Sequence, residues 1–228
     1  MSRRGGKNKT RTSTKLIYLL MILVLIVIGY FVWGLLLGVR EEHIVEQQPT
    51  GSETIYDTPP PSDEEVANWT VEPDRPRYMT IPAIGMHNAR VEALGLVADS
   101  DQLAAPDNIW NVGWYINSAK PGVNGTGLYD CHTFFNADGG LCDAMPNAAV
   151  SGTEITIERG DGAKLVYGVV ENKTMTVEEA NEYMSILLQP PAGAKQSISI
   201  ITCSGKYNLQ TQTSSHRTVI RAILKQGP

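Results

Sequence analysis

Cys203 is a candidate nucleophile because of its position at the end of the apolar stretch SISIITC, which begins at Ser197. The stretch is rich in β-branched residues and predicts a strand, which gives way to a polar loop at Ser-Gly. A cysteine at a strand end is either a packing residue or a nucleophile within reach of a substrate. A nucleophilic cysteine acts as the thiolate, so it needs a base or a positive charge nearby.

Four histidines are candidate partners for this thiol. His43 lies in an acidic polar stretch, and His87 lies in the turn-like sequence Gly-Met-His-Asn. His132 ends the run GLYDCH and, like Cys203, stands where a predicted strand gives way to a loop. His216 begins the last apolar stretch, HRTVIRAIL. The strand-end position favours His132, with His216 and a thiol without any histidine partner as the alternatives.

Several stretches together resemble the sortase family, the membrane-anchored cysteine transpeptidases of bacterial surfaces. VGWY and KPGVNGTGLYDCHTFF are followed by DGAKLVYGVV, IITCSG and HRTVIRA in the order and spacing of that family. The resemblance covers about residues 77–225. It implies that Cys203 is the nucleophile, that His132 and Arg217 are its catalytic partners, and that Thr202 is the substrate-binding threonine before the nucleophile.

The resemblance implies an acyl-transfer reaction. Cys203 would attack the Thr–Gly carbonyl of a Leu-Pro-x-Thr-Gly-like sorting signal, and protonated His132 would donate to the leaving amine. Arg217 would hold the substrate carbonyl or oxyanion. An amine, from a cell-wall precursor or a pilin lysine, would then take the acyl group. Arg221 is a rival for this role, because strand alternation puts it on the same face as Arg217.

Cys131 departs from the family pattern, which usually has glycine before the histidine. A bulkier residue there predicts a crowded pocket or a second thiol near the site. Crowding is the basis of an alternative function, a membrane-tethered peptide-binding module with the sortase barrel but little or no turnover. Cys131 and Cys142 either form a disulfide, which an exported domain permits, or remain two thiols.

The elements that must position these residues are mostly short strands. TEITIERGDGAKLVYGVVENKTMT predicts a hairpin closed by Gly-Asp-Gly at residues 160–162. The clear helix is TVEEANEYMSILLQ, which Thr176 caps and Pro190 stops. Many short strands with one helix predict a mainly β barrel or sandwich. The resemblance implies a closed sortase-like β-barrel with one or two short helices, formed by residues 77–228.

The N-terminal residues predict a membrane anchor. Residues 1–15 carry six basic residues and no acidic one, and residues 16–39 form 24 consecutive uncharged, predominantly apolar residues. That length spans a bilayer as a helix and exceeds the apolar region of a signal peptide. Basic flanks stay in the cytoplasm. We therefore expect a single-pass protein of the cell membrane with a cytoplasmic N-terminus and an extracellular catalytic domain.

Residues 40–76 predict a linker between the anchor and the domain. This stretch contains ten acidic residues, two basic residues and the sequence TPPPSDEE. Repelling charges and prolines favour an extended tether. The alternative is an appendage that folds over the active site, with Trp69 inserted into the groove.

Charge and composition exclude several other functions. The net charge is −5, and without the basic residues 1–15 it becomes −11, so no basic face remains for nucleic acid. No cysteine and histidine spacing indicates a zinc site. Asp99, Asp101 and Asp107 lack a calcium-loop pattern, so calcium is without support and we predict no cofactor.

Overall fold

A computed structural model describes residues 58–133, 140–208, 210 and 213–227. The predicted cytoplasmic tail, the membrane segment at residues 16–39 and the first part of the linker lie outside the described residues. Among the helices that the structure describes, none combines the length and the apolar character needed to cross a bilayer.

The described strands form a closed barrel in the order β1-β2-β3-β4-β7-β8-β6-β5. The sequence-based prediction of a closed, mainly β barrel is therefore confirmed. Two pairs, β2 with β3 and β4 with β7, are parallel. Closure pairs the strands on both sides and leaves no free sheet edge. The strands are β1 Pro76–Ile81, β2 Met86–Leu94, β3 Val112–Tyr115, β4 Gly125–Cys131, β5 Glu154–Arg159, β6 Lys164–Thr176, β7 Gln196–Asn208 and β8 Thr213–Gln226.

The helix predicted between β6 and β7 is present as α3, Val177–Leu187. Its start is a capping box, in which the Thr176 hydroxyl accepts from the Glu179 N–H and the Glu179 carboxylate accepts from the Thr176 N–H. The described residues also contain α1 (Asp63–Ala67), α2 (Met145–Ala148) and a 3-10 helix at Pro82–Ile84. The helices therefore exceed the predicted one or two, because single turns are too short to produce a periodic signal.

Apolar side chains pack on both faces of β4, β7 and β8. One face lines the barrel interior, where Tyr129, Ile200 and Ile220 belong to the main core. The other face lies beneath α3, where Leu128 and Val219 join a second cluster. Successive strand residues alternate between these two environments. We call them the inner face and the outer face of the barrel.

Residues 58–75, assigned by the sequence to the linker, pack against the barrel. The Trp69 indole donates to the Val91 carbonyl on β2 at 3.3 Å, and the Arg77 guanidinium donates to the Trp69 carbonyl at 2.6 Å. The Trp110 indole donates to the Thr58 carbonyl at 2.9 Å. This part is therefore not an extended tether, because its aromatic and backbone groups find partners on the domain. Trp69 contacts β2 and not the strand end that carries Cys203.

Candidate active site

Three adjacent strands bring the predicted site residues together at one end of the barrel. Cys131 is paired with Thr202 across the parallel strands β4 and β7, and Cys203 is paired with Arg217 across β7 and β8. His132 directly follows Cys131. Neighbouring strands are roughly 5 Å apart, so the backbone of His132, just beyond the end of β4, lies level with Cys203 on β7 and Arg217 on β8. Alternation puts the side chains of Cys203 and Arg217 on the outer face.

Thr202 lies on the inner face and connects two of these strands. It is 3% exposed, and its hydroxyl donates to the Cys131 carbonyl at 2.7 Å. This hydrogen bond holds the end of β4 beside the nucleophile strand. The substrate contact that the sequence implied for Thr202 stays a prediction.

Cys203 is a free thiol with partial exposure to solvent. Its neighbour Ser204 faces the opposite side and is paired with His216. The alternation of β8 therefore directs His216 away from the face that carries Cys203. The His216 ring instead shares a 2.8 Å hydrogen bond with the Ser215 hydroxyl. Of the two histidines that the sequence left open, the register thus excludes His216 from the face of the thiol and leaves His132 as the candidate.

The His132 ring is fixed by the loop between β2 and β3. Its Nε2 lies 2.9 Å from the Pro106 carbonyl, so Nε2 must carry the proton and donate it. Burial lowers the pKa of His132, and the hydrogen bond to Pro106 partly opposes that effect. The neutral ring therefore holds its proton on Nε2, and Nδ1 is the nitrogen left to exchange a proton with a substrate.

The largely buried carboxyl group of Asp130, which sequence reasoning missed, lies two residues before His132. The Asp130 side chain lies over Gly113, where a Cβ atom would stand only 2.0 Å from Asp130 Oδ1. Burial raises the pKa of Asp130 to about 7, and the negative charge of Glu92 adds to the effect. A glycine inside the apolar strand VGWY was the available signal, since such a glycine often marks a close approach of another group.

Arg217 is held at the barrel end by its own strand. Its Nη1 donates to the carbonyls of Ser214 at 3.0 Å and His216 at 2.9 Å, and its Nη2 donates to the Thr213 hydroxyl at 2.9 Å. These contacts fix the plane of the guanidinium group on the strand next to Cys203. A planar group with several donors suits the stabilisation of a carbonyl oxygen that develops negative charge.

Arg221 shares the outer face but serves a different region. It is 8% exposed, and it donates to the Glu171 carboxylate at 3.3 Å and to the Gln189 carbonyl at 2.7 Å. The Tyr183 hydroxyl donates to the other Glu171 oxygen at 2.7 Å. Because Gln189 follows α3 and Tyr183 belongs to it, Arg221 fastens α3 to the barrel.

Cys131 forms a disulfide with Cys142, which decides between the two alternatives left open by the sequence. Their Cα atoms are 6.1 Å apart, and both residues belong to the main core. The Cys131 side chain therefore faces inward, so the predicted crowding of the outer face is absent.

A small pocket lies on the outer face of β4 beside the site. Its lining combines apolar residues with two tyrosines and one carboxyl group: Leu94, Gly95, Leu103, Ala104, Tyr115, Leu128, Tyr129 and Asp130. Within the described part of the chain, no three His, Cys, Asp or Glu side chains are grouped to hold a metal ion.

Comparison with known proteins identifies the family. The structure is similar to sortase C1 of GBS Pilus Island 1 (17% identity, TM-score 0.46), of which it covers 63% with 65% of its own length. It is also similar to the Clostridium perfringens sortase D5 (18% identity, TM-score 0.47). That match covers 73% of this chain and 90% of the other. A third similar structure is Streptococcus pneumoniae sortase C (20% identity, TM-score 0.49), and the match covers 69% of each chain. No curated protein sequence matches. The family model for the sortase domain matches residues 79–225, more than half of the chain, so the protein belongs to the sortase family.

Proposed function

We propose that this sortase is a cysteine transpeptidase that cleaves a Leu-Pro-x-Thr-Gly-like sorting signal between Thr and Gly and transfers the acyl group to an amine. The nucleophile is Cys203, the general acid is His132, and Arg217 stabilises the oxyanion. The observation that carries the proposal is the strand register, in which Cys203 and Arg217 are cross-strand partners and His132 follows Cys131, the partner of Thr202.

The first half of the reaction forms a thioester. The Cys203 thiolate attacks the threonine carbonyl carbon, and the oxyanion accepts hydrogen bonds from Arg217. Nδ1 of His132 takes the proton of the Cys203 thiol, and the C–N bond to glycine breaks as the resulting imidazolium gives that proton to the leaving amine. The partly exposed thiol and the Nε2 contact to Pro106 support these roles, because they leave Sγ and Nδ1 open to a substrate.

The second half of the reaction releases the acyl group. An incoming amine attacks the thioester carbonyl, its proton passes to Nδ1 of His132, and Cys203 leaves as the thiolate. The two candidate acceptors are a cell-wall precursor and a pilin lysine, which correspond to cell-wall anchoring and pilin polymerisation. Attack by water in place of the amine would make the enzyme a peptidase.

The proposal extends to location: residues 16–39 anchor the enzyme in the cell membrane, and the catalytic domain acts outside the cell.

The test uses the purified full chain in detergent micelles, a peptide containing Leu-Pro-x-Thr-Gly, and triglycine as the amine. Mass spectrometry should detect the threonine-ended fragment joined to triglycine, together with the released glycine-ended fragment. Without triglycine, the product should be the threonine-ended acid. The Cys203→Ala variant is the matched control and should yield neither product.

Absence of cleavage across peptides that vary at each position of the motif would contradict the proposal. Peptide binding without cleavage would favour the binding-module alternative. That alternative rested on crowding by Cys131, and the inward disulfide removes its basis.

A further inference from the structure

We propose that the Cys131–Cys142 disulfide is a positioning device for His132, which holds the backbone around the histidine at the barrel end that carries Cys203. This inference rests on the function proposed for His132 and adds a residue pair that acts through it. Neither sulfur touches the substrate, so the two cysteines are positioning residues.

The bond is located where the strand stops. β4 ends at Cys131, and His132 is the first residue beyond the strand. Cys142 is fully buried and Cys131 is 5% exposed, and both pack with Met145 and Ala149 in the main core. The residue that follows a strand end is otherwise free to fray, since the ladder stops before it. The sulfur bridge fixes this point to the core instead.

The backbone is held on both sides of the histidine ring. The Cys131 carbonyl accepts from the Thr202 hydroxyl at 2.7 Å, and the His132 carbonyl accepts from the Cys142 N–H at 3.2 Å. The second of these bonds needs Cys142 to return to the end of β4 after a separation of 11 residues. The disulfide supplies that return, because it joins the two residues covalently and removes the entropy cost of closing the loop.

A third contact holds the side chain of His132. His132 Nε2 donates to the Pro106 carbonyl at 2.9 Å, which directs the rest of the ring away from the β2–β3 loop. The ring can keep this hydrogen bond only while the His132 backbone keeps its position. A displacement of about 1 Å at a reacting group can cost roughly 100-fold in rate.

The central experiment compares the full chain with its Cys131→Ala/Cys142→Ala variant in two assays. In peptide cleavage we expect kcat to fall by about tenfold or more, while KM stays within about twofold, because the substrate surface is unchanged. The control is Ile157→Val, which removes one buried methylene from β5 on the other side of the barrel. It should lower stability without lowering kcat.

The second assay needs no substrate. Diethyl pyrocarbonate modifies accessible histidine nitrogens, and mass spectrometry of the digested protein measures the rate at each position. His132 should react slowly in the disulfide-bonded chain and several-fold faster in the double variant. The exposed His87 provides the internal reference and should react equally in both proteins.

Equal kcat and equal His132 reactivity in the folded double variant would overturn the positioning role. If that variant does not fold, the wild-type chain is treated with a phosphine at the lowest urea concentration at which two additional thiols appear by mass. A faster reaction of His132 in that reduced form supports the inference, and an unchanged rate overturns it. The histidine assay distinguishes failure of the positioning role from failure of the proposed function. If the chain cleaves no peptide but the disulfide still protects His132 from modification, the proposed function is wrong and the positioning role stands.

Discussion

The outer face of β8 carries two arginines in two different surroundings. Arg217 stands at the barrel end opposite Cys203, and its guanidinium group bonds to two backbone carbonyls and one hydroxyl of its own strand. Arg221, four residues further on, lies beneath α3 and forms an ion pair with Glu171. We call the first region, with His132, Cys203 and Arg217, the catalytic end. We call the second, with Arg221, Glu171, Tyr183 and Gln189, the helix anchor.

The difference shows that a strand pattern alone does not assign a role to a charge. Both arginines occupy the same face, as the alternation of β8 requires. At the helix anchor the charge is buried and is compensated inside the protein, so it contributes to stability. At the catalytic end the guanidinium group is fixed by two carbonyls and one hydroxyl, and none of these contacts neutralises its positive charge. Activity and stability measurements should therefore separate the two regions.

The largest expected effect is the loss of the nucleophile. Cys203→Ala should abolish peptide cleavage, because no thioester can form. The free energy of unfolding should change by no more than about 0.5 kcal/mol, since the thiol is partly exposed. Cleavage is measured by mass spectrometry and stability by urea unfolding. Cleavage above background by the pure variant would remove Cys203 from the mechanism.

The second-largest expected effect is the loss of His132, the proposed general acid. His132→Ala should lower kcat by roughly 100- to 10,000-fold, the usual contribution of proton transfer by a positioned side chain. His216→Ala is the matched control and should have little effect, because its ring lies on the other face of β8. Steady-state cleavage rates decide the ranking. The reverse order would move the acid from β4 to β8.

The third prediction compares the activity of Arg217→Lys, at the catalytic end, with that of Arg221→Lys, at the helix anchor. An ammonium group keeps the charge but loses the planar set of donors that Thr213 and Ser214 hold in place. We expect a loss of roughly 100- to 1,000-fold in rate, about 3–4 kcal/mol, as for removal of one oxyanion donor. Arg221→Lys should lose little activity. A near-wild-type rate for Arg217→Lys would reduce Arg217 to a steering charge.

Arg221→Met should affect stability and leave catalysis almost unchanged. It removes the hydrogen bonds to Glu171 and Gln189, so urea unfolding should show a loss of about 1–3 kcal/mol. Arg217→Met should cost clearly less stability. If Arg221→Met instead collapses kcat while the protein stays as stable as wild type, the two regions are not separate.

The smallest expected effect is a pH-dependent change in stability caused by Asp130, two residues before His132. The folded-state pKa of Asp130, about 7, is raised from 3.8, so the folded chain binds a proton that the unfolded chain has lost. This contribution to stability is complete below about pH 4 and declines as pH rises to about 7. Asp130→Asn should abolish this decline and should be about 1–2 kcal/mol more stable than wild type at pH 8, with partial exposure limiting the gain.

Urea unfolding from pH 4 to pH 8 measures this difference. Subtracting the two profiles removes the contribution of His132, whose pKa is also shifted, and leaves that of Asp130 together with its repulsion from Glu92. Parallel profiles for wild type and Asp130→Asn would show that the Asp130 carboxyl titrates in its ordinary range.

Local sequence signals predicted the elements that depend on near neighbours. The capping box at Thr176 and the prolines after residue 189 define α3, because each interaction spans only a few residues. β-Branched runs predicted the strands for the same reason. The single turns α1 and α2 were not predicted, because they are too short to produce a periodic signal. The packing of Trp69 on β2 was not predicted either, because it depends on a contact with a strand distant in sequence.

The sequence by itself determined the residue types of the site, the strand ends that carry them and, through its resemblance to the sortase family, the three candidates His132, Cys203 and Arg217. The tertiary structure decided that His216 faces away from the thiol, that Arg221 belongs to the helix anchor, that Cys131 is bonded to Cys142 in the core, and that Asp130 is buried over Gly113. The physical reason is the register between strands that are far apart in the chain. Thr202 meets Cys131 across 71 residues, and no local propensity specifies which face or which partner such a pairing selects.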